Sequence, residues 1–367
     1  MATVASNGAP PLLRAKVRSG HQVQGRTVDS NGHFGRGEAA NVTGVATAAP
    51  DGESDLIHRY FAPIAGPQPG VITGIGDDAA VLEVTNERLL VSTDSMVEGV
   101  HFPPGAAAAR LARRLLRVNL SDLAAMAARP RWFTLNLTLP IADPEWLAAF
   151  SDALHREAAQ FGCCLVGGDT TRGPLNLAVQ IMGTVAAGGP VLNRRGARPG
   201  DWLVVTGTLG DAAAALELDL NAPLADNHFL RRYWLPTPRL DFAQAAAAHI
   251  RAACDISDGL LRDAGHLCAA GEVAATVHLE AIPLSDPLRE RRKAPQYLAA
   301  TGGDDYELCL AVAPADWPRL AQIARRQQLA LTRVGEFVPA GRDSAPVRLF
   351  DSAGREVPVE NPGYRHF

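Results

Sequence analysis

Apolar positions along the chain alternate between two periods, one of strands and one of helices. Residues 89–94 (Leu-Leu-Val-Ser-Thr-Asp) form an apolar run closed by three oxygen-bearing side chains, a strand delivering polar groups at its end. Over residues 106–127, Leu111, Leu115, Val118 and Met126 recur at helical spacing and predict a long helix. Asp122 falls on the same stripe, midway between Val118 and Met126. A carboxylate on a core-facing stripe must be paired, hydrogen-bonded or metal-bound, because burying it alone is costly; we favour metal ligation. Residues 134–139 alternate as a strand. Asp143-Pro144-Glu145 then supplies an N-cap, an N1 proline and an acidic first turn to a helix carrying Leu147, Phe150, Leu154, Ala158 and Phe161, which Gly162 stops. A short buried strand over residues 163–166 delivers Gly167-Gly168-Asp169-Thr170-Thr171 at its end, and residues 175–185 form a further strand.

The same alternation continues beyond Gly188-Gly189-Pro190, where we place a domain boundary. Residues 202–205 read as a buried strand, and the Gly-rich stretch 206–211 leads into an alanine-rich helix. Residues 253–256 end a strand, with Ser257 as the N-cap of a helix over 258–268. A strand over 306–312, a helix over 317–328 and a strand over 331–337 complete the pattern. Near the start, residues 56–61 read as a short helix, and 71–75 and 79–84 as strand pieces around a glycine turn. Strands and helices alternate throughout, which predicts α/β or α+β layers in an N-terminal domain (51–189) and a C-terminal α/β domain (190–367). Residues 1–50 lack apolar periodicity and a signal-peptide core, and are expected to be a disordered extension or sequence upstream of the true start.

Composition narrows the function classes. A length of 367 residues with 47% hydrophobic and 20% charged residues is that of an ordinary globular protein of two domains. The net charge of -4 provides no footprint for nucleic acid. No apolar run approaches the roughly 20 residues of a membrane span. All five cysteines sit inside apolar runs without metal-ligand spacing, as expected of reduced core residues in a cytoplasmic protein.

The candidate chemistry lies in recurring pairings of glycine with aspartate. Gly74-Ile75-Gly76-Asp77-Asp78, Gly167-Gly168-Asp169, Asp255-Ile256-Ser257-Asp258-Gly259 and Gly302-Gly303-Asp304-Asp305 all flank apolar runs. Any one of them is ordinary turn chemistry; their number points to one metal-rich site assembled from several loops. An all-oxygen ligand set favours magnesium or calcium, and no EF-hand spacing occurs. Magnesium held by a few carboxylates plus substrate phosphates suggests a nucleotide, although neither a Walker A nor a protein-kinase loop is present. Two unit charges 4 Å apart repel by ~1 kcal/mol in water and ~4 kcal/mol at an effective dielectric of 20. Metal-bridged acidic loops therefore suit transfer between two phosphorylated molecules.

The motifs as a set resemble the thiamine-monophosphate kinase family, within the superfamily of aminoimidazole-ribonucleotide synthetase and selenophosphate synthetase. They are Gly74–Asp78, Ser92-Thr93-Asp94, Val97 to Phe102, Val118-Asn119-Leu120-Ser121-Asp122, Gly167 to Gly173, Asp255 to Leu260, and Gly302 to Leu308. The resemblance implies a two-domain α+β fold whose N-terminal mixed sheet pairs across a homodimer into a barrel, with active sites near that interface. It implies direct transfer of the ATP γ-phosphoryl group to thiamine monophosphate at a site holding several magnesium ions. The implied magnesium ligands are Asp78, Ser92, Thr93, Asp94, Asp122, Asp169, Asp255 and Asp258, with Asp94, Asp122, Asp169 and Asp258 central to catalysis; Asp77 is left to hold the turn. ATP contacts are implied at Gly168, Asp169, Arg194 and Ser257, and substrate contacts at His101, Asp304, Asn361 and Tyr364.

Departures qualify the transfer of roles. Asp304 stands where the family usually carries glutamate, and Asn361 where an aromatic residue usually stacks on the thiamine ring, so that either Tyr364 substitutes or the stacking platform is weaker. Alanine at position 127 replaces a usual glycine. Alternatives are another ATP-using superfamily member acting on a different phosphate acceptor, or a non-catalytic nucleotide-binding relative. The reactive cysteine of a selenophosphate synthetase has no counterpart before Cys163, and the chain lacks the terminal cysteine of a hydrogenase-maturation relative.

Overall fold

The computed structural model describes residues 52–65, 69–76, 79–341 and 345–365. The expectation for residues 1–50 and the roles given to Asp77 and Asp78 fall outside the described residues.

A short helix α1 (Glu53–Leu56) continues as a helical turn to Phe61 and precedes an antiparallel pair, β1 (Val71–Thr73) and β2 (Val81–Leu82). Then follow β3 (Glu87–Val97), α2 (Ala108–Ala125), β4 (Arg129–Leu139), α3 (Pro144–Phe161), β5 (Cys164–Arg172) and β6 (Asn176–Ala186). These strands form a four-stranded sheet in the order β3-β6-β4-β5, in which only β4 and β5 run parallel. α3 begins and ends where the sequence expects: the Asp143 carboxylate accepts from the Glu145 amide, Pro144 opens the helix, and Gly162 closes it at φ 65°.

The remainder builds β7 (Trp202–Thr206), α4 (Asp211–Ala215), α5 (His228–Trp234), α6 (Leu240–Ala246), β8 (Ala252–Asp255), α7 (Leu260–Gly271) and β9 (Val273–His278). α8 (Asp286–Arg291), α9 (Pro295–Thr301), β10 (Leu308–Val312), α10 (Trp317–Arg326), β11 (Leu331–Pro339), β12 (Val347–Phe350) and β13 (Glu356–Val357) complete it. The seven strands order as β13-β12-β9-β11-β7-β10-β8, with β12 and β9 the parallel pair. Two mixed, largely antiparallel sheets with helices packed on them make this the α+β fold expected from the sequence.

α2 is the element between the sheets. It packs on β3 and β6, against α3, and against α5, α6 and β8. Leu111, Leu115, Leu116 and Leu120 are fully buried, and so are Asn119 and Ser121. A helix enclosed on several sides buries polar positions along with its apolar stripe, and each then needs a partner.

Three local expectations give way to tertiary geometry. Gly167-Gly168-Asp169 lies within β5 and not beyond its end, because pairing with β4 continues to Arg172. Gly168 is needed there: at φ 150° a Cβ would stand 1.9 Å from the Leu135 carbonyl oxygen of β4. β10 starts at Leu308, not at 306, because Asp304 and Tyr306 take left-handed φ values of 68° and 51° that no strand accommodates. Ser257 is not an N-cap. α7 begins at Leu260, and the Asp263 carboxylate accepts from the Asp258 and Gly259 amides, each at 3.0 Å.

Candidate active site

One turn of α2 ties β3 to the end of β8. Ser92 Oγ donates to Asp122 Oδ2 at 2.6 Å, the Asp94 amide donates to Asn119 Oδ1 at 2.9 Å, and Ser121 Oγ donates to Asp255 Oδ2 at 2.8 Å. Asp94, Asp122 and Asp255 thereby face one cavity of about 390 Å³, which His101, Arg194, Ser257, Asp258, Asp304 and Tyr364 also line.

Burial, and then the charge of Asp122, push the Asp94 carboxyl up to about 6. Burial raises Asp122 as well, against the Ser92 hydrogen bond and the Arg194 charge. Asp255 is driven well above the usual carboxylate range by burial, then by Asp122 and Asp263. Among the described residues no ion pair reaches any of the three. A cavity lining rich in carboxylate oxygens, opposed only in part by the Arg194 charge on Asp122, suits a hard divalent cation, and magnesium in particular where phosphates complete its shell. Asp258 also lines the cavity, in an ion pair with Arg262 at 3.0 Å. Its carboxylate, that of Asp263 and a ring nitrogen of His266 lie within 4.8 Å of one another, although Asp263 is committed to two backbone amides.

Other residues of the same lining bring another chemistry. His101 Nδ1 accepts from the Val97 amide at 3.0 Å, so the neutral ring carries its proton on Nε2. Asp304 Oδ1 accepts from Arg114 Nη2 at 2.6 Å and from the Tyr306 hydroxyl at 3.2 Å. The C-terminal segment docks through the Tyr364 amide, which donates to the Asp258 carbonyl at 2.9 Å. Gly363 permits this approach, since a Cβ there would lie 2.6 Å from the same oxygen. Tyr364 lines the cavity, whereas Asn361 is exposed, accepts from the Gly363 amide, and does not line it.

Not all of the expected set gathers here. Gly168 and Asp169 line a second cavity of about 470 Å³, together with Gly74, Gly76 and Gly167. β3, which carries Asp94, and β5, which carries Asp169, are opposite edges of the four-stranded sheet. Three strand spacings separate them, roughly 14 Å. Thr93, neighbour to Asp94 on β3, spends its hydroxyl on the Val179 carbonyl at 3.0 Å.

Residues 76–187 match the N-terminal domain model of AIR synthase related proteins, and residues 198–348 match the C-terminal one. The thiamine-monophosphate kinase of Salmonella typhimurium is 43% identical over 327 residues, which span 86% of this chain and 98% of that protein. This chain belongs to the thiamine-monophosphate kinase family. The crystal structure of thiamine-monophosphate kinase from Stenotrophomonas maltophilia K279a superposes with a TM-score of 0.71 at 42% identity, over 77% of this chain and 91% of that one. AaThiL complexed with AMPPCP and TMP superposes with a TM-score of 0.67 at 30% identity, over 80% and 92%.

In this member of the thiamine-monophosphate kinase family, sequence reasoning missed Arg114, Asn119, Ser121 and Asp263. Asn119 and Ser121 flank Asp122 within one motif, and that adjacency was the available signal. Arg114 and Asp263 carry none, because their partners lie on elements distant in sequence or depend on where a helix starts.

The carboxylate cluster makes stability depend on pH. Asp94 titrates near 6 in the folded protein, against an ordinary 3.8, so between these values the folded state holds a proton that the unfolded chain has released. Its destabilising contribution is absent below about pH 3.8, grows as pH rises, and is complete above about pH 6. In metal-free protein, Asp94→Asn is expected to raise the thermal midpoint at pH 7.5, with the gain vanishing near pH 4. Scanning calorimetry across this range checks it; an equal gain at both pH values would contradict the assigned cause.

Proposed function

We propose that the protein transfers the γ-phosphoryl group of ATP directly to thiamine monophosphate, forming thiamine diphosphate, at a site holding several magnesium ions. The observation that carries this reading is that Asp94, Asp122 and Asp255 line one cavity, the charge of Asp122 raising the other two, while among the described residues no ion pair reaches them. Relatives bearing the kinase's name and a structural neighbour complexed with AMPPCP and TMP support it.

Magnesium, when bound, screens the charge of the two phosphorylated reactants and stabilises the charge that develops in transfer. Asp94, Asp122, Asp255 and Asp258 hold it, with Asp78, Ser92, Thr93 and Asp169 completing the ligand set. Gly168, Arg194 and Ser257 contact ATP. The acceptor is itself a phosphate whose second ionisation falls near pH 6, so it is mostly dianionic at pH 7 and needs no general base. The residues' work is therefore to hold and align charges. His101 and Asp304 hold the acceptor molecule, Asp304 by accepting a hydrogen bond from it, and Tyr364 stacks on its ring beside Asn361.

The working unit we propose is a cytoplasmic homodimer of chains divided near residue 189. Leu89 and Val91 on the edge strand β3 are 47% and 53% exposed, an apolar edge that a single chain leaves uncovered. Pairing across a two-fold axis covers it and brings Asp169 of the partner subunit beside Asp94, which accounts for their separation within one chain.

Incubation with ATP, magnesium and thiamine monophosphate is expected to yield thiamine diphosphate, measured by chromatography. Asp122→Asn should lower kcat by about 10²–10³-fold, as loss of a group stabilising transition-state charge does. Full turnover in excess chelator would contradict the metal site. Asp94→Asn and Asp169→Asn, each inactive alone, should regain activity when mixed under subunit exchange, because a mixed dimer keeps one intact site. No recovery despite proven exchange would place both aspartates in one subunit's site.

A further inference from the structure

Arg114 belongs to none of the motifs, yet it is the most enclosed charged group beside the cavity, its side chain 3% exposed. Nη2 donates to Asp304 Oδ1 at 2.6 Å, and Nη1 donates to the Tyr233 carbonyl. The guanidinium carbon lies 3.9 Å from the Tyr233 ring centroid and 5.7 Å from that of Tyr306. Burial opposes its charge, and Asp304 and the two tyrosines more than offset that opposition. The Tyr306 hydroxyl donates to the same Oδ1 at 3.2 Å. Both donors thus converge on one oxygen, leaving Oδ2 of a side chain 28% exposed as the acceptor available to the cavity.

The backbone around this carboxylate is also over-determined. Asp304 and Tyr306 hold left-handed φ values, fixed by Asp304 N–H to the Ser257 carbonyl and Tyr306 N–H to the Ile256 carbonyl, each at 2.8 Å. Strained non-glycine residues persist only where their surroundings enforce them, and such places cluster at ligand sites. A carboxylate repels phosphate and accepts from N–H groups. Val100, Leu216 and Tyr364, exposed by 58%, 57% and 46%, line the same cavity and make it suitable for a flat heteroaromatic ring.

Resting on the proposed function, we infer that Arg114 is a positioning residue: it clamps Asp304 so that the remaining oxygen selects acceptors bearing a ring amino group. A guanidinium fork suits this role, since it binds Asp304 and the Tyr233 carbonyl at once in a fixed plane.

Steady-state kinetics on the full-length protein test it, using thiamine monophosphate and its analogue with an oxygen in place of the ring amino group. R114M is expected to raise KM for thiamine monophosphate by about 10–100-fold, the effect of losing a charged hydrogen-bonded partner. KM for ATP should stay within about twofold, and discrimination against the oxygen analogue should collapse. R114M/D304A should be no worse than D304A, because the arginine acts through the aspartate. R114K, which keeps the charge and loses the fork, should fall between R114M and the unaltered protein, and Y306F should lose discrimination partially; both remain informative if R114M does not fold. Unchanged discrimination in R114M or R114K, additive losses in R114M/D304A, or a parallel rise in KM for ATP would overturn the inference. An unaltered protein that phosphorylates neither acceptor would remove the proposed function and this inference together.

Discussion

Three carboxylates line one partly dehydrated cavity, where the charge of Asp122 makes both Asp94 and Asp255 harder to ionise. The fold tolerates this because Ser92, Asn119 and Ser121 fix the wall with neutral hydrogen bonds that leave the negative charge in place. A structure selected only for stability would pair these groups with arginine. The site instead holds its counter-charge open for a cation, and magnesium carrying substrate phosphates is the ligand whose chemistry matches.

α2 transmits this constraint to the rest of the molecule. One of its turns carries Asp122, Asn119 and Ser121 to β3 and β8, while Arg114, two turns earlier, reaches the Asp304 loop and Tyr233 of α5. The acidic residues and the Asp304 loop are therefore both set by a single rigid element, enclosed among two sheets and three helices. Arg113 and Arg117 bind Glu157 of α3 from the same helix, which ties α2 to α3.

Local signals made much of this legible. Asp143, Pro144 and Gly162 mark α3 because capping chemistry is confined to a few residues, and the aspartates at strand ends stand out because charge interrupts apolar runs. Ser257 misled because the helix begins only at Leu260, and the Asp263 carboxylate, not Ser257, takes the Asp258 and Gly259 amides, a competition decided in three dimensions. The start of β10 was displaced by the left-handed Asp304 and Tyr306, a conformation no propensity announces. Strand order is likewise absent from sequence periodicity. Asp94 and Asp169 read as members of one site, and only the order β3-β6-β4-β5 reveals that one chain holds them on opposite edges.

The central claim is that the Asp94, Asp122 and Asp255 wall is a cation site in its own right. Calorimetric titration of magnesium into metal-free protein at pH 7.5, beside the Asp122→Asn variant, tests it most directly. The account predicts saturable binding in the unaltered protein that weakens below about pH 6, as Asp94 takes up its proton, and is lost in the variant. Equal magnesium binding by both proteins would contradict it.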